Sequence, residues 1–218
     1  MNLLGIGHKE LTARLQKYLD SDAQLQQVFG YTKRRFDAAT ELTAHNWEHA
    51  YRDVMNAIVI GEAESADMHI VLPATVMHDV GFLYGATGKT HGAVGAEKLA
   101  EFLREGNIDY PEEDIAKMAS CIRTHKGSMH DEKPETLEAK VVADADLLEK
   151  FGPFGVYSGL RTYGEFKLNI DGAFEKEGRV STLTLETPTG QRLAEPGRQF
   201  VMDFYRELRD AATSYIDL

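Results

Sequence analysis

At 218 residues the chain is long enough for one sizeable domain, and 43% apolar with 27% charged residues describes a globular core rather than a disordered chain. A single cysteine, Cys121, excludes an intrachain disulfide. The formal net charge of −11 argues against duplex nucleic acid and anionic membranes as partners, since clustered Lys and Arg bind both.

Residues 1–10 carry no basic region followed by an apolar run, and nowhere do about 18 apolar residues stand together, so a cytoplasmic protein with no membrane span is expected. Helical spacing then dominates. Leu11, Leu15, Tyr18 and Leu19 mark a helix within an N-terminal helical region, 9–38; Ala50, Val54, Ala57, Ile58 and Gly61 mark another. The segment 70–77 contains Pro73 and β-branched residues but reads as helix, with Pro73 near its first turns. Ala96, Leu99, Ala100 and Leu103 share one face, as do Ile115, Met118, Ala119 and Ile122. Gly106 stands where a C-cap glycine is expected after a 92–105 helix, and Pro111 where the next helix begins. From 152 to 195 the chain is glycine-rich, and Val180 to Leu185 reads as a short strand pair or an irregular arm. A long apolar stripe from Val201 to Tyr215 predicts a C-terminal helix over 196–216, which packs on the core or buries a homodimer interface.

Chemistry is concentrated at a few polar positions. His78-Asp79 ends an apolar segment, and neighbouring imidazole and carboxylate suit a divalent ion, which a carboxylate can also bridge to a second. His49 precedes an apolar stripe, with Arg52, Asp53 and Asn56 on a polar face of the same helix. His91 opens the next helix, and His125 shares a face with Met118, Cys121 and Ile122. Asp144 and Asp146 lie in an apolar helix, where unpaired carboxylates are costly and need a metal or a cationic side chain. Two residues apart means roughly 200° of rotation, so these two aspartates face different ways. Asp146 lies over the small residues Ala139, Val142 and Ala143.

His49, the pair His78-Asp79, and Asp146 resemble the four-ligand signature of the HD superfamily of metal-dependent hydrolases. Residues 74–81, 122–125 and 139–148 resemble that family's motifs, and the likeness spans about 40–165. It implies an all-α fold: a single helical HD-domain bundle over 1–218, with a less regular segment around 152–195 and a long C-terminal helix. It also implies a metal site of His49, His78, Asp79 and Asp146, with Asp146 rather than Asp144 as ligand. His91 and His125 stand where two-metal members add histidines, with Asp79 then bridging. One or two divalent ions (Mn, Ni, Co, Mg, Zn or Fe) are the implied cofactor, and a small phosphorylated substrate, a nucleotide among the options, the implied partner. The resulting expectation is a phosphomonoesterase or nucleotide phosphohydrolase using metal-activated water. Metal ions would also offset an acidic surface that repels phosphate. Arg52, Lys89 and Lys126 are candidates for holding phosphate oxygens, and His45 or Asp53 for orienting water or passing protons.

Other readings are weaker. Gly85 to Thr90 suggests a phosphate loop, but Leu83 occupies the position of that motif's first glycine. Cys121 lies one turn before His125, yet cysteine on an apolar helix face is usually core. Leu83-Tyr84 replaces the Glu-Asp pair of members that cleave guanosine tetraphosphate, and nothing after His125 resembles the cyclic-dinucleotide motif. The rival expectation is a di-iron HD-domain oxygenase resembling inositol oxygenase and a phosphonate-cleaving relative, whose ligand set overlaps this one. His8, His69 and His130 read as surface histidines.

Overall fold

Short polar side chains start most of the helices by accepting a hydrogen bond from a backbone N–H that the first turn leaves unpaired. Asp22 accepts from Leu25 N at 2.9 Å, Asn46 from His49 N at 3.3 Å, and Asp67 from His69 N at 3.0 Å. Thr136, Asn169 and Thr187 do the same for Ala139, Gly172 and Gly190. In this computed structural model, which describes residues 2–127 and 132–215, the helices are α1 (His8–Ser21), α2 (Ala23–Ala38), α3 (Trp47–Glu64), α4 (Met68–Met77), α5 (His91–Glu105), α6 (Glu112–Thr124), α7 (Leu137–Leu148), α8 (Gly152–Glu165), α9 (Ile170–Thr182) and α10 (Pro188–Ala212). A 3-10 turn, Val80–Tyr84, joins α4 to the loop before α5. There is no strand among the described residues. None of the helices described is long and apolar enough to cross a membrane.

The bundle is built around α3, α4 and α7, which pack against one another, with the α5–α6 pair against α4 and α7. The N-terminal α1 and α2 lie against α3 and α4, while α10 reaches α7 and α3 and carries α8 and α9. Residues from every helix up to α7 share one apolar cluster; Tyr163, Val201 and Tyr205 form a smaller one beneath α8 and α10. Pro73 is accommodated because the carbonyl it leaves without a donor is that of His69, in the first turn of α4. Cys121 is core, and burial pushes its thiol up to about 12.

Three expectations are corrected. The stretch 152–195 is mostly helical, and the C-terminal helix begins at Pro188. Val180 to Leu185 forms no strand pair: α9 ends at Thr182, and Leu183 and Leu185 are two apolar anchors in the connection back to α10. Part of the glycine content reflects close approach, since a Cβ on Gly159 would stand 2.8 Å from the Tyr205 hydroxyl. Gly106 caps α5 as expected, in right-handed conformation, and the left-handed turn falls on Asn107 with φ 53°. His8 and His69 lie at the surface, His69 facing Asp22 at 3.2 Å; His130 lies outside the described residues.

Asp144 explains where α10 starts. This fully buried carboxylate accepts from Glu186 N at 2.6 Å, Thr187 N at 2.7 Å and the Thr187 hydroxyl at 2.6 Å. Replacing Asp144 with Ala strands two backbone donors, so Asp144→Ala should lose roughly 2–4 kcal/mol of stability, read from urea unfolding. An unchanged midpoint would remove Asp144 as the anchor of α10.

Candidate metal centre

Four histidines converge from four helix ends. His49 lies in the first turn of α3, His78 follows α4, His91 opens α5 and His125 follows α6. Each ring commits Nδ1 to an acceptor. His78 donates to Thr75 O at 2.7 Å and His125 to Ile122 O at 2.6 Å, both carbonyls of a helix's last turn. His49 pairs with Glu149 Oε2 at 2.5 Å, and His91 reaches Thr87 O at 3.3 Å. With Nδ1 occupied, Nε2 is the nitrogen each ring offers inward. The inward nitrogens meet in pairs: His49 and His78 at 3.2 Å, His91 and His125 at 2.9 Å.

Asp79 stands between the pairs. Its Oδ2 is 3.3 Å from His49 Nε2 and 3.4 Å from His78 Nε2, while its Oδ1 is 3.3 Å from His91 Nε2 and 3.8 Å from His125 Nε2. Gly81 permits this turn, because a Cβ there would fall 2.1 Å from the carbonyl oxygen of His91. Asp146 Oδ1 lies 3.7 Å from His49 Nε2, and Lys150 donates to both Asp146 oxygens at 2.9 and 3.0 Å. The ligand atoms of His49, Asp53, His78 and Asp146 lie within 4.8 Å of one another, as do those of His78, Asp79 and His125.

Charge balance tests whether a metal fits. Asp53, Asp79, Asp146 and Glu149 are all buried, and the cationic side chains paired to them are Arg52 and Lys150. The remaining negative charge needs protons or a cation. Without an ion, burial opposes a charge on His49, but Asp53 and Glu149 outweigh it and raise this imidazole well above its usual range. His78 is likewise raised against burial, to about 9, by Asp79. Burial takes His91 down to about 4, and with His91 beside it holds His125 well below its usual range. The donors therefore suit divalent cations: inward imidazole nitrogens beside carboxylates whose charge the protein does not itself cancel.

The cluster opens on a cavity of about 640 Å³ bounded by α8, α9 and α10. His45, Lys89 and Lys126 all line it. The His45 ring lies between Phe82, at 4.6 Å, and Phe166, stacked at 5.4 Å. Its Nδ1 bonds Glu165 Oε1, and Glu165 Oε2 accepts from Ala44 N at 2.6 Å and His45 N at 3.3 Å. Lys126 Nζ donates to Gly88 O at 2.7 Å. Arg52 turns elsewhere: it donates to Glu149, lies 5.4 Å from the Phe154 ring centroid, and lines a smaller neighbouring cavity. Sequence reasoning did not reach Glu149, Lys150 or Glu165. For the first two a signal existed, since positions three and four after Asp146 share its helical face. For Glu165 there was none.

A helical bundle that gathers a His, a His-Asp pair and a late Asp in this way defines the HD-domain class of proteins. The chain belongs to the HD domain family, whose sequence model matches residues 46–150. YpgQ of Bacillus subtilis (strain 168) is 30% identical over 190 residues, 80% of this chain and 90% of YpgQ. The crystal structure of B. subtilis YpgQ in complex with ADP superposes with a TM-score of 0.62 and 24% identity over 87% of this chain and 95% of that one. A Lactobacillus plantarum protein gives 0.70 and 21% over 88% and 98%. A predicted HD superfamily hydrolase from an uncultured Thermotogales bacterium gives 0.57 and 23% over 85% and 91%.

Glu149 holds the His49 ring from behind, so Glu149→Ala should weaken divalent-metal binding by roughly 10–100-fold, measured by chelator competition. Wild-type affinity in that variant would mean that His49 is oriented without it.

Proposed function

We propose that the chain is a metal-dependent phosphohydrolase acting on a small phosphorylated substrate, a nucleotide being the class that suits its cavity. The observation that carries this reading is Asp79, whose two oxygens each face a separate histidine pair at the base of the cavity. On this reading His49, His78 and Asp146 hold one divalent ion, His91 and His125 hold a second, and Asp79 is shared. Bound there, the ions would supply Lewis-acid polarisation of a phosphoryl oxygen and a more acidic water near neutral pH.

The chain's own groups do the rest. Lys89 and Lys126 bring positive charge to the cavity of an acidic protein and hold phosphate oxygens. Glu165 takes the His45 Nδ1 proton as its partner and leaves Nε2 for substrate or water. Phe166, which lines the cavity, provides an aromatic face on which a planar base can stack. A volume of about 640 Å³ falls within the range of small-molecule sites. The ADP complex of YpgQ supports a nucleotide over a simpler phosphate ester.

Metal analysis and a panel of nucleoside mono-, di- and triphosphates test the reading together. Two ions per chain, phosphate or pyrophosphate release that stops on chelation, and one ion with at least 100-fold lower rate in His91→Ala are expected. Lys126→Ala should raise KM roughly tenfold with kcat little changed, as for lost uniform binding. No release from any phosphate ester, with oxygen consumption by the iron-loaded protein, would replace the hydrolase with the di-iron oxygenase.

A further inference from the structure

α3 carries Asp53 one turn after His49, on the same helical face. Its relative exposure is 0%, and neither carboxylate oxygen has a hydrogen-bond partner. Three other buried carboxylates among the described residues have fixed partners: Asp144 takes two backbone N–H groups and a hydroxyl, Glu149 takes Arg52, and Asp146 takes Lys150, whereas Asp79, like Asp53, has an oxygen with none. Asp53 forms no ion pair with Lys or Arg among the described residues. Its Oδ2 instead points at the imidazole cluster, 3.3 Å from His49 Nε2 and 3.6 Å from His78 Nε2. The same His49 nitrogen also faces Asp79 and Asp146, at 3.3 and 3.7 Å, so three carboxylates converge on it. One cation would answer all of these carboxylates at once.

The spacing agrees with that. Oxygen and nitrogen ligands stand about 2.0–2.6 Å from a divalent ion, so ligands of one ion lie within about 5 Å of each other. The ligand atoms of Asp53, His49, His78 and Asp146 meet this limit at 4.8 Å. We propose that Asp53 is itself a metal ligand, a carboxylate added to the set made by His49, His78-Asp79 and Asp146. This rests on the metal centre proposed above. Its consequence is an asymmetric site. The position near His49 and His78 has three carboxylates within reach, whereas the one near His91 and His125 has Asp79. Five donors exceed the tetrahedral four that zinc prefers, and the oxygen-rich set selects Mn2+ or Mg2+ over Zn2+.

The test compares metal-stripped wild type with Asp53→Asn, Asp53→Ala and Asp146→Ala, using Mn2+ titration followed by electron paramagnetic resonance, and thermal unfolding with and without Mn2+. Asp53→Ala is expected to lose Mn2+ affinity at least tenfold, with a smaller loss for Zn2+. Asp53→Asn, which keeps the side-chain shape and one oxygen, is expected to fall between it and wild type. Both Asp53 variants should gain less thermal stability from Mn2+ than wild type does. Wild-type Mn2+ affinity and stoichiometry in both, beside a clear loss in Asp146→Ala, would overturn the role of Asp53 and leave the metal centre standing. A wild type that binds neither Mn2+, Mg2+ nor Zn2+ would overturn both.

Discussion

Four carboxylates buried around one cluster of imidazoles, with Arg52 and Lys150 as the fixed countercharges paired to them, set the terms on which this bundle folds. Such charge is costly in a low-dielectric interior, and helices α3, α4 and α7 bring it together all the same. The surrounding apolar residues tolerate it only while something neutralises it. Without an ion, burial opposes a charge on His49 and His78, and the carboxylates of Asp53, Glu149 and Asp79 raise both imidazoles against it. The same donors could hold a divalent ion, since every ring already presents Nε2 inward.

Helix termini make this arrangement inexpensive in side chains. In the last turns of α4 and α6 the carbonyls of Thr75 and Ile122 orient His78 and His125 with no further side chain required. At α3 and α5 the histidines lie at helix N-termini, where no such carbonyl of the helix is free. Partners come from elsewhere, Glu149 across the bundle and Thr87 in the preceding loop. The contrast accounts for a supporting carboxylate behind His49 and none behind His78 or His125.

The region after α7 serves as the cavity's outer wall. Asp144 turns away from the metal cluster and fixes the start of α10, while Asp146, on the other side of the same helix, faces the histidines. Glu165 ties the end of α8 to Ala44 and His45, across 120 residues of sequence, so wall and metal centre hold a common cavity. Adjacent acids in α7 thus divide into one that builds the wall and one that faces the site.

Helical spacing was enough to expect a helical chain and most helix positions, and the resemblance to the HD superfamily implied that His49, His78, Asp79 and Asp146 come together. Helical periodicity and polar residues at apolar helix ends are local signals, whereas the ligand set spans α3 to α7 and was legible only through the family's motifs. That Asp144 and Asp146 face different ways was legible because rotation along a helix depends on sequence separation alone, while the choice of Asp146 as the site residue came from the family resemblance. Tertiary structure decided the rest. Arg52 pairs with Glu149, His45 with Glu165, and Asp79 comes to lie between two histidine pairs through contacts between segments far apart in sequence. Val180 to Leu185 misled as a strand because its apolar residues answer to the core they anchor in, and a sequence pattern does not distinguish that from pairing with another strand. That Asp53 is left without a partner could emerge only once every neighbouring cation had been drawn to another carboxylate.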